Sequence, residues 1–231
     1  EGAFLPRFVV GPLDTNMYLV YNPVSRDSVL VDVGGDPSEA LAWLERLELR
    51  LRAVIATHGH FDHVAGIPRL GPLGAAKYIH GDDVGIVELS SGWYSSYTGE
   101  VVEVPRFDVL LDGDVELRLG TLEVVVLHTP GHTPGSISLY IPSAGALLTG
   151  DTLFSGTVGR TDLPGGSEGA LAESIRKIYR RVPLDTVVHP GHGPSTTLRR
   201  ELRANPFVED ALRDAGYRFP PSASTSLRTS S

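Results

Sequence analysis

The chain has 231 residues, with 28 acidic against 20 basic side chains and a formal charge of −8 at pH 7. That acidity argues against nucleic acid as a partner. The absence of cysteine excludes disulfides and thiolate metal sites, and fits a cytoplasmic protein. No apolar run is long enough to span a membrane, and the opening EGAFLPRFVVG has no basic segment leading into an apolar one, so neither membrane association nor a signal peptide is expected.

The elements read as follows in chain order. FLPRFVVG, NMYLVYN and SVLVDVGG alternate like strands. DPSEALAWLERLE places Ala40, Leu41, Leu44 and Leu47 near helical spacing, with Ser38 as the expected N-cap. RAVIAT is a short β-branched strand, HVAGIPRL at most a short helix limited by Pro68, and AKYIH another strand. SSGWYSSYTG, polar, aromatic and flanked by glycine, predicts a loop or lid. VLLDGDVELRLGTLEVVVLHT predicts strand, Asp-Gly turn, strand, turn and strand. SISLYIP and ALLTG add two strands, GGSEGALAESIRKIYRRV a helix with Leu171, Ile175 and Ile178 on one side, and DTVVHPGHGPST a last strand. A helix starts in TLRRELRANPF and ends before Pro206. We expect one domain over residues 1–219, made of two similar halves, and a flexible Ser/Thr/Pro-rich tail over 220–231.

Four segments join a strand end, a glycine turn and ligand-type side chains: THGHFDH, TPGHTPGS, TGDT and HPGHG. Loops at strand ends are where a rigid sheet presents functional groups. His58 and His60, two residues apart on extended backbone, point the same way, whereas Asp62 and His63 follow a turn. With His132, Asp151 and His192 they make seven candidates. One ion held by four protein ligands is a closed structural site. Seven candidates divide into two ions about 3.5–4 Å apart that share a carboxylate. Imidazole and carboxylate ligands suit zinc, with iron or manganese as alternatives. His128 and His189 end apolar strands and are read as supporting groups, and His80 as a surface or turn residue. Asp82 and Asp83 have no partner motif and are not read as catalytic.

THGHFDH, TPGHTPG, TGDTLF and PGHG together resemble the metallo-β-lactamase superfamily over roughly residues 4 to 207. The resemblance implies an α/β fold, a four-layer αββα sandwich with a binuclear metal site at one edge of the sheets. It also implies the ligand sets: His58, His60 and His132 for one ion, Asp62, His63 and His192 for the other, and Asp151 between them. Asp32 in LVDVGG is similar to the superfamily's buried aspartate that supports the ligand loop. LFSGTVGRTDLPGG, HPGHGPSTT and NPF resemble the glyoxalase II group, in particular the short bacterial YcbL-type hydrolases. That implies a thioester hydrolase with a hydroxyacylglutathione-like, small-molecule acyl-thiol or ester substrate. A metal-bridging hydroxide would be its nucleophile, with Asp62 as the catalytic residue. A counterpart of the helical domain through which glyoxalase II contacts glutathione is not expected in the Ser/Thr-rich stretch after Phe219. Arg160 and Tyr94 are candidate substrate contacts, Arg160 having a salt bridge to Asp162 as its alternative role. GRTD also resembles persulfide dioxygenases, which use one iron, and a lactonase or other ester hydrolase on the same fold is a further alternative. A monomer or homodimer is expected.

Overall fold

The computed structural model describes residues 2–71, 73–99 and 103–214. Strands β1 (Arg7–Val10), β2 (Thr15–Tyr21), β3 (Asp27–Val31), β4 (Arg50–Ile55), β5 (Ala76–His80) and β6 (Val109–Leu111) form one sheet in that order. It is antiparallel from β1 to β3 and parallel from β3 to β6. β7 (Val115–Leu119), β8 (Leu122–His128), β9 (Ile137–Ile141) and β10 (Ala146–Gly150) begin the second sheet. After a small ribbon of β11 (Leu153–Phe154) and β12 (Thr157–Val158), β13 (Val187–Pro190) and β14 (Thr196–Thr197) complete it, in the order β14-β13-β10-β9-β8-β7.

The layers follow from side-chain alternation. Leu19, Leu30 and Val54 face outward and bury against α1 (Ser38–Arg46), α2 (Phe61–Val64) and α3 (Val84–Thr98). Their neighbours Val20, Val29, Val31, Ala53 and Ile55 face inward and meet Val124, Val126, Leu139 and Leu148 of the second sheet. That sheet's other face, with Leu127, Leu147 and Val188, packs on α4 (Glu168–Arg181), α5 (Leu198–Ala204) and α6 (Pro206–Asp214). The result is the expected αββα sandwich. Among the described residues no helix is long and apolar enough to cross a membrane.

Five readings change. The SSGWYSSYTG stretch is not a loop: it lies in α3, closed by Gly99 with φ 74°. Its serines have low helix propensity, but Val87 and Ser90 are buried and Ser90 Oγ donates to the Gly59 carbonyl at 3.0 Å. Tertiary anchoring overrides the local preference. The Asp112-Gly113 turn does not close a hairpin. β6 belongs to one sheet and β7 to the other, so the turn carries the chain between layers. Ser38 is the first helical residue rather than the cap, with Pro37 before it, and Asp36 Oδ1 accepts the Ser38 N–H. A sixth helix, α6, begins at Pro206, where proline's missing N–H costs nothing. Finally, His80 is buried, because it stacks on His128 across the two sheets at 4.0 Å. The tail expected over 220–231 lies outside the described residues.

Asp27 couples the layers. Its carboxylate accepts from Arg52 Nε at 2.7 Å and from the N–H and Oγ1 of Thr121 at 2.9 and 3.1 Å. Burial works against ionisation, but these donors outweigh it and hold the carboxyl at about 2, against its ordinary 3.8. A depressed native value stabilises the fold fully above about pH 4, and the contribution disappears as pH falls toward 2. With Arg52 partly in solvent, we expect about 1–2 kcal/mol from this residue. Urea midpoints of wild type and Asp27→Asn should differ at pH 7 and converge near pH 2. Parallel pH profiles would rule the account out.

Candidate metal centre

Strands from both sheets end at one edge, and their following loops meet there. His58 and His60 come just after β4, and Asp62 and His63 sit on the single turn of α2. His132 lies in the loop after β8, Asp151 directly follows β10, and His192 lies two residues beyond β13. The short α2 is what turns Asp62 and His63 away from the direction taken by His58 and His60.

All seven side chains come together. His58, His60 and His132 form one group, Asp62, His63 and His192 a second, and Asp151 stands with His58 and His63 between them. His60 Nδ1 lies 2.9 Å from His132 Nε2. Asp62 Oδ2 lies 3.2 Å from His192 Nε2 and 3.4 Å from His63 Nε2. Asp151 reaches both groups, with Oδ1 3.4 Å from His63 Nε2 and Oδ2 3.6 Å from the Nε2 atoms of His132 and His192.

Outer hydrogen bonds fix the tautomers. His132 Nδ1–H donates to the Arg160 carbonyl at 2.8 Å, and His192 Nδ1–H to the Leu13 carbonyl at 3.1 Å. His63 Nδ1–H donates to Asp32 Oδ2 at 2.9 Å. Thr57 Oγ1 also donates to that oxygen, at 2.8 Å, and accepts from His58 Nδ1–H at 3.1 Å. Each of these rings therefore turns its Nε2 inward. His58 Nε2 and Asp151 Oδ1 are buried with no hydrogen-bond partner. Buried electron-pair donors without a proton to receive are the mark of a cation site. The residues fit divalent ions.

The electrostatics agree. Burial, with the neighbouring histidines, pushes His58 well below its ordinary range and His60 down to about 3, so both are neutral lone-pair donors at pH 7. Burial also opposes a charge on His63, yet Asp62, Asp151 and Asp32 outweigh it and lift His63 to about 10. Asp62 is held well below the carboxylate range by His63 and His192, against its own burial. The carboxylates favour positive charge at this spot.

Glycine permits the approach of the last loop. A Cβ on Gly191 would lie 2.3 Å from Asp151 Oδ1 and 2.6 Å from His63 Cε1. The same loop is strapped to β2: Asn16 N–H donates to the Gly191 carbonyl at 2.7 Å, and Tyr18 Oη to the Pro190 carbonyl at 2.7 Å.

Asp32 is buried beneath His63 and Thr57. Arg160 lines the cleft, but its Nε and Nη2 both donate to Asp162 at 2.7 Å. Tyr94 packs on Phe61 with ring centres 4.7 Å apart, and also lines the cleft. His128 and His189 stand outside the cluster, bonded to Pro134 and Ser195.

Sequence reasoning passed over Asp83. This fully buried carboxylate accepts from Gly59 N–H and Gly135 N–H at 2.6 Å and from Thr133 Oγ1 at 2.7 Å. It ties the His58–His60 loop to the loop of His132. Its only signal was an aspartate just past a strand end. Asp83→Ala leaves the buried N–H groups of Gly59 and Gly135 unpaired, each costing about 1–3 kcal/mol. It should lower the melting temperature and weaken metal binding about 10–100-fold. Metal affinity equal to wild type in a folded variant would remove Asp83 from this role.

The comparisons with known proteins bear on the same edge. The chain is 34% identical over 205 residues to the probable metallo-hydrolase YqgX of Bacillus subtilis, covering 87% of this chain and 96% of that protein. It is 32% identical over 193 residues to the hydroxyacylglutathione hydrolase GloC of Haemophilus influenzae, covering 79% and 88%. The solved structure of TTHA1623 in a di-iron-bound form superposes with a TM-score of 0.77 at 38% identity, covering 87% of this chain and 99% of that one. Residues 10–192 match the metallo-beta-lactamase superfamily, so with its sandwich fold and its histidine-aspartate edge the chain belongs to that superfamily, as a metallo-hydrolase.

Proposed function

We propose that the chain hydrolyses thioesters in the manner of the glyoxalase II group, with two divalent ions at the cluster. His58, His60 and His132 would hold one ion, Asp62, His63 and His192 the other, and Asp151 would lie between them. Two such ions lower the pKa of a bound water to about 7 and polarise a carbonyl. Zinc is our first choice, and iron or manganese also suits these ligands. Iron draws support from the di-iron form of TTHA1623. The resemblance to GloC supports the substrate class.

The observation that carries the reading is the inventory of acids. Among the described residues lining the cleft, the only carboxylates are Asp62 and Asp151, and both belong to the cluster. Asp62 is held ionised, so it can orient a water but has no proton to give at pH 7. A leaving group must then depart with little help. A thiolate does so, since thiols ionise near 8.5. Phe61 and Tyr94 wall the cleft beside the cluster.

The test is hydrolysis of S-lactoylglutathione and of acyl thioesters of a neutral thiol, by protein loaded with zinc, manganese or iron. We expect turnover of about 1–10³ s⁻¹ on at least one thioester. Sulfite formed from a persulfide under O₂ with one iron per chain would replace the reading with a dioxygenase. Ring-opening of lactones without thioester cleavage would replace it with a lactonase.

A further inference from the structure

The cleft beside the cluster is a cavity of about 290 Å³. Beyond the cluster and Arg160 its walls are Leu13, Phe61, Trp93, Tyr94, Tyr97 and Leu163, with Ser90. Trp93 is 43% exposed and Tyr97 70% exposed. Large aromatic side chains held in water around a reactive centre make a binding surface for apolar groups. Charge gives an independent observation. Arg160 is the only lysine or arginine among the described lining residues, and Asp162 already neutralises it through two hydrogen bonds. On the other side of Arg160 lies a second cavity of about 580 Å³. It has an apolar floor of Leu171, Ile175 and Phe207, and carries three carboxylates, Asp162, Glu168 and Asp210. A thiol bearing two carboxylates would find no unpaired cation in the first cavity and, beyond the Arg160–Asp162 pair, the carboxylates of Glu168 and Asp210 at the second. The whole chain, at −8, adds to the repulsion.

We infer that the substrates are small thioesters whose group next to sulfur is uncharged and apolar or aromatic, bound on the Trp93–Tyr97 face of α3, and not thioesters of an anionic peptide thiol such as glutathione. This rests on the hydrolase reading and narrows its substrate. Trp93 is the anchor. It stands at the cleft mouth with a broad ring and few degrees of freedom to lose. Arg160 is a wall, with its charge spent on Asp162.

Binding can be read apart from catalysis. Trp43 and Trp93 are the only tryptophans, and Trp43 packs away from the cleft, edge-on against Phe8. A Trp43→Phe protein therefore reports on Trp93 alone by fluorescence. The probes are inert thioethers: S-benzyl-N-acetylcysteamine, S-methyl-N-acetylcysteamine and S-benzylglutathione. Titration calorimetry repeats the measurement on the unsubstituted protein and reads the Trp93→Ala variant, which carries no reporter at the cleft. We expect the neutral benzyl probe to bind at least tenfold more tightly than either other probe, and Trp93→Ala to bring its affinity within threefold of the methyl probe's. S-benzylglutathione binding as tightly or more tightly would overturn the inference, as would an order untouched by Trp93→Ala. Turnover of the matching thioesters judges the hydrolase reading separately. If none is cleaved with any metal while the binding order holds, the chemistry is wrong and the preference for neutral apolar ligands stands. If all are cleaved and the order fails, the reverse is true.

Discussion

On the proposed two-ion reading, an Asp62→Ala protein should fold, bind one metal ion rather than two, and lose on the order of 10³-fold in kcat. The reason is position. The Asp62 carboxylate lies within 3.2–3.4 Å of the inward nitrogens of His192 and His63, and Thr15 Oγ1 holds it at 3.0 Å. It faces the cleft, so its removal opens no hole in the apolar core, and what it leaves without an acceptor is the buried Thr15 hydroxyl. Metal analysis, circular dichroism and turnover would be read on one preparation. A variant that keeps two ions and more than a tenth of its rate would show that the second group of ligands is not part of the chemistry.

The second large effect is at Asp32, and two substitutions divide it. Asp32 is buried and takes a left-handed backbone, φ 55°. It also accepts three hydrogen bonds, from Thr57 N–H and Oγ1 and from His63. Asparagine tolerates the left-handed region about as well as aspartate does. It has one acceptor oxygen rather than two, and its amide N–H₂ must face a donor. Asp32→Asn should therefore keep most of the stability and weaken metal binding about 10–100-fold, because His63 loses its orientation. Asp32→Ala adds backbone strain and three stranded donors, and should also cost about 3–5 kcal/mol in unfolding free energy. Equal metal affinity in wild type and Asp32→Asn would refute the orienting role. Equal stability of the two variants would refute the role of strain.

Much of this architecture was legible from strand ends. Each candidate ligand follows an apolar run by a few residues, and such runs mark where a buried strand stops. The alternation in β2 to β4 and the spacing of Leu171, Ile175 and Ile178 in α4 made the layers readable for the same reason. The failures share a cause too. α3 is helical because Ser90 and Val87 find partners across the fold, and no window of its own sequence contains those partners. Asp83 showed no partner motif because its three donors come from Gly59, Thr133 and Gly135, two of them about fifty positions away. Burial of His80 depends on His128, from the opposite sheet. Local chemistry announces which groups can act, whereas long-range contact decides which of them are held still.

The strap between β2 and the last loop is expected to close late in folding. Asn16 and Tyr18 grip Pro190 and Gly191, partners separated by about 175 positions along the chain. Closing so long a loop is entropically slow and is repaid only once both ends are already shaped. The sheets and outer helices can form from nearer contacts first. On that expectation His192 reaches the centre late, carried by a strand of the other sheet. In refolding from urea, recovery of helical signal should precede recovery of tight metal binding, and substitutions at Asn16 should slow the second phase far more than the first.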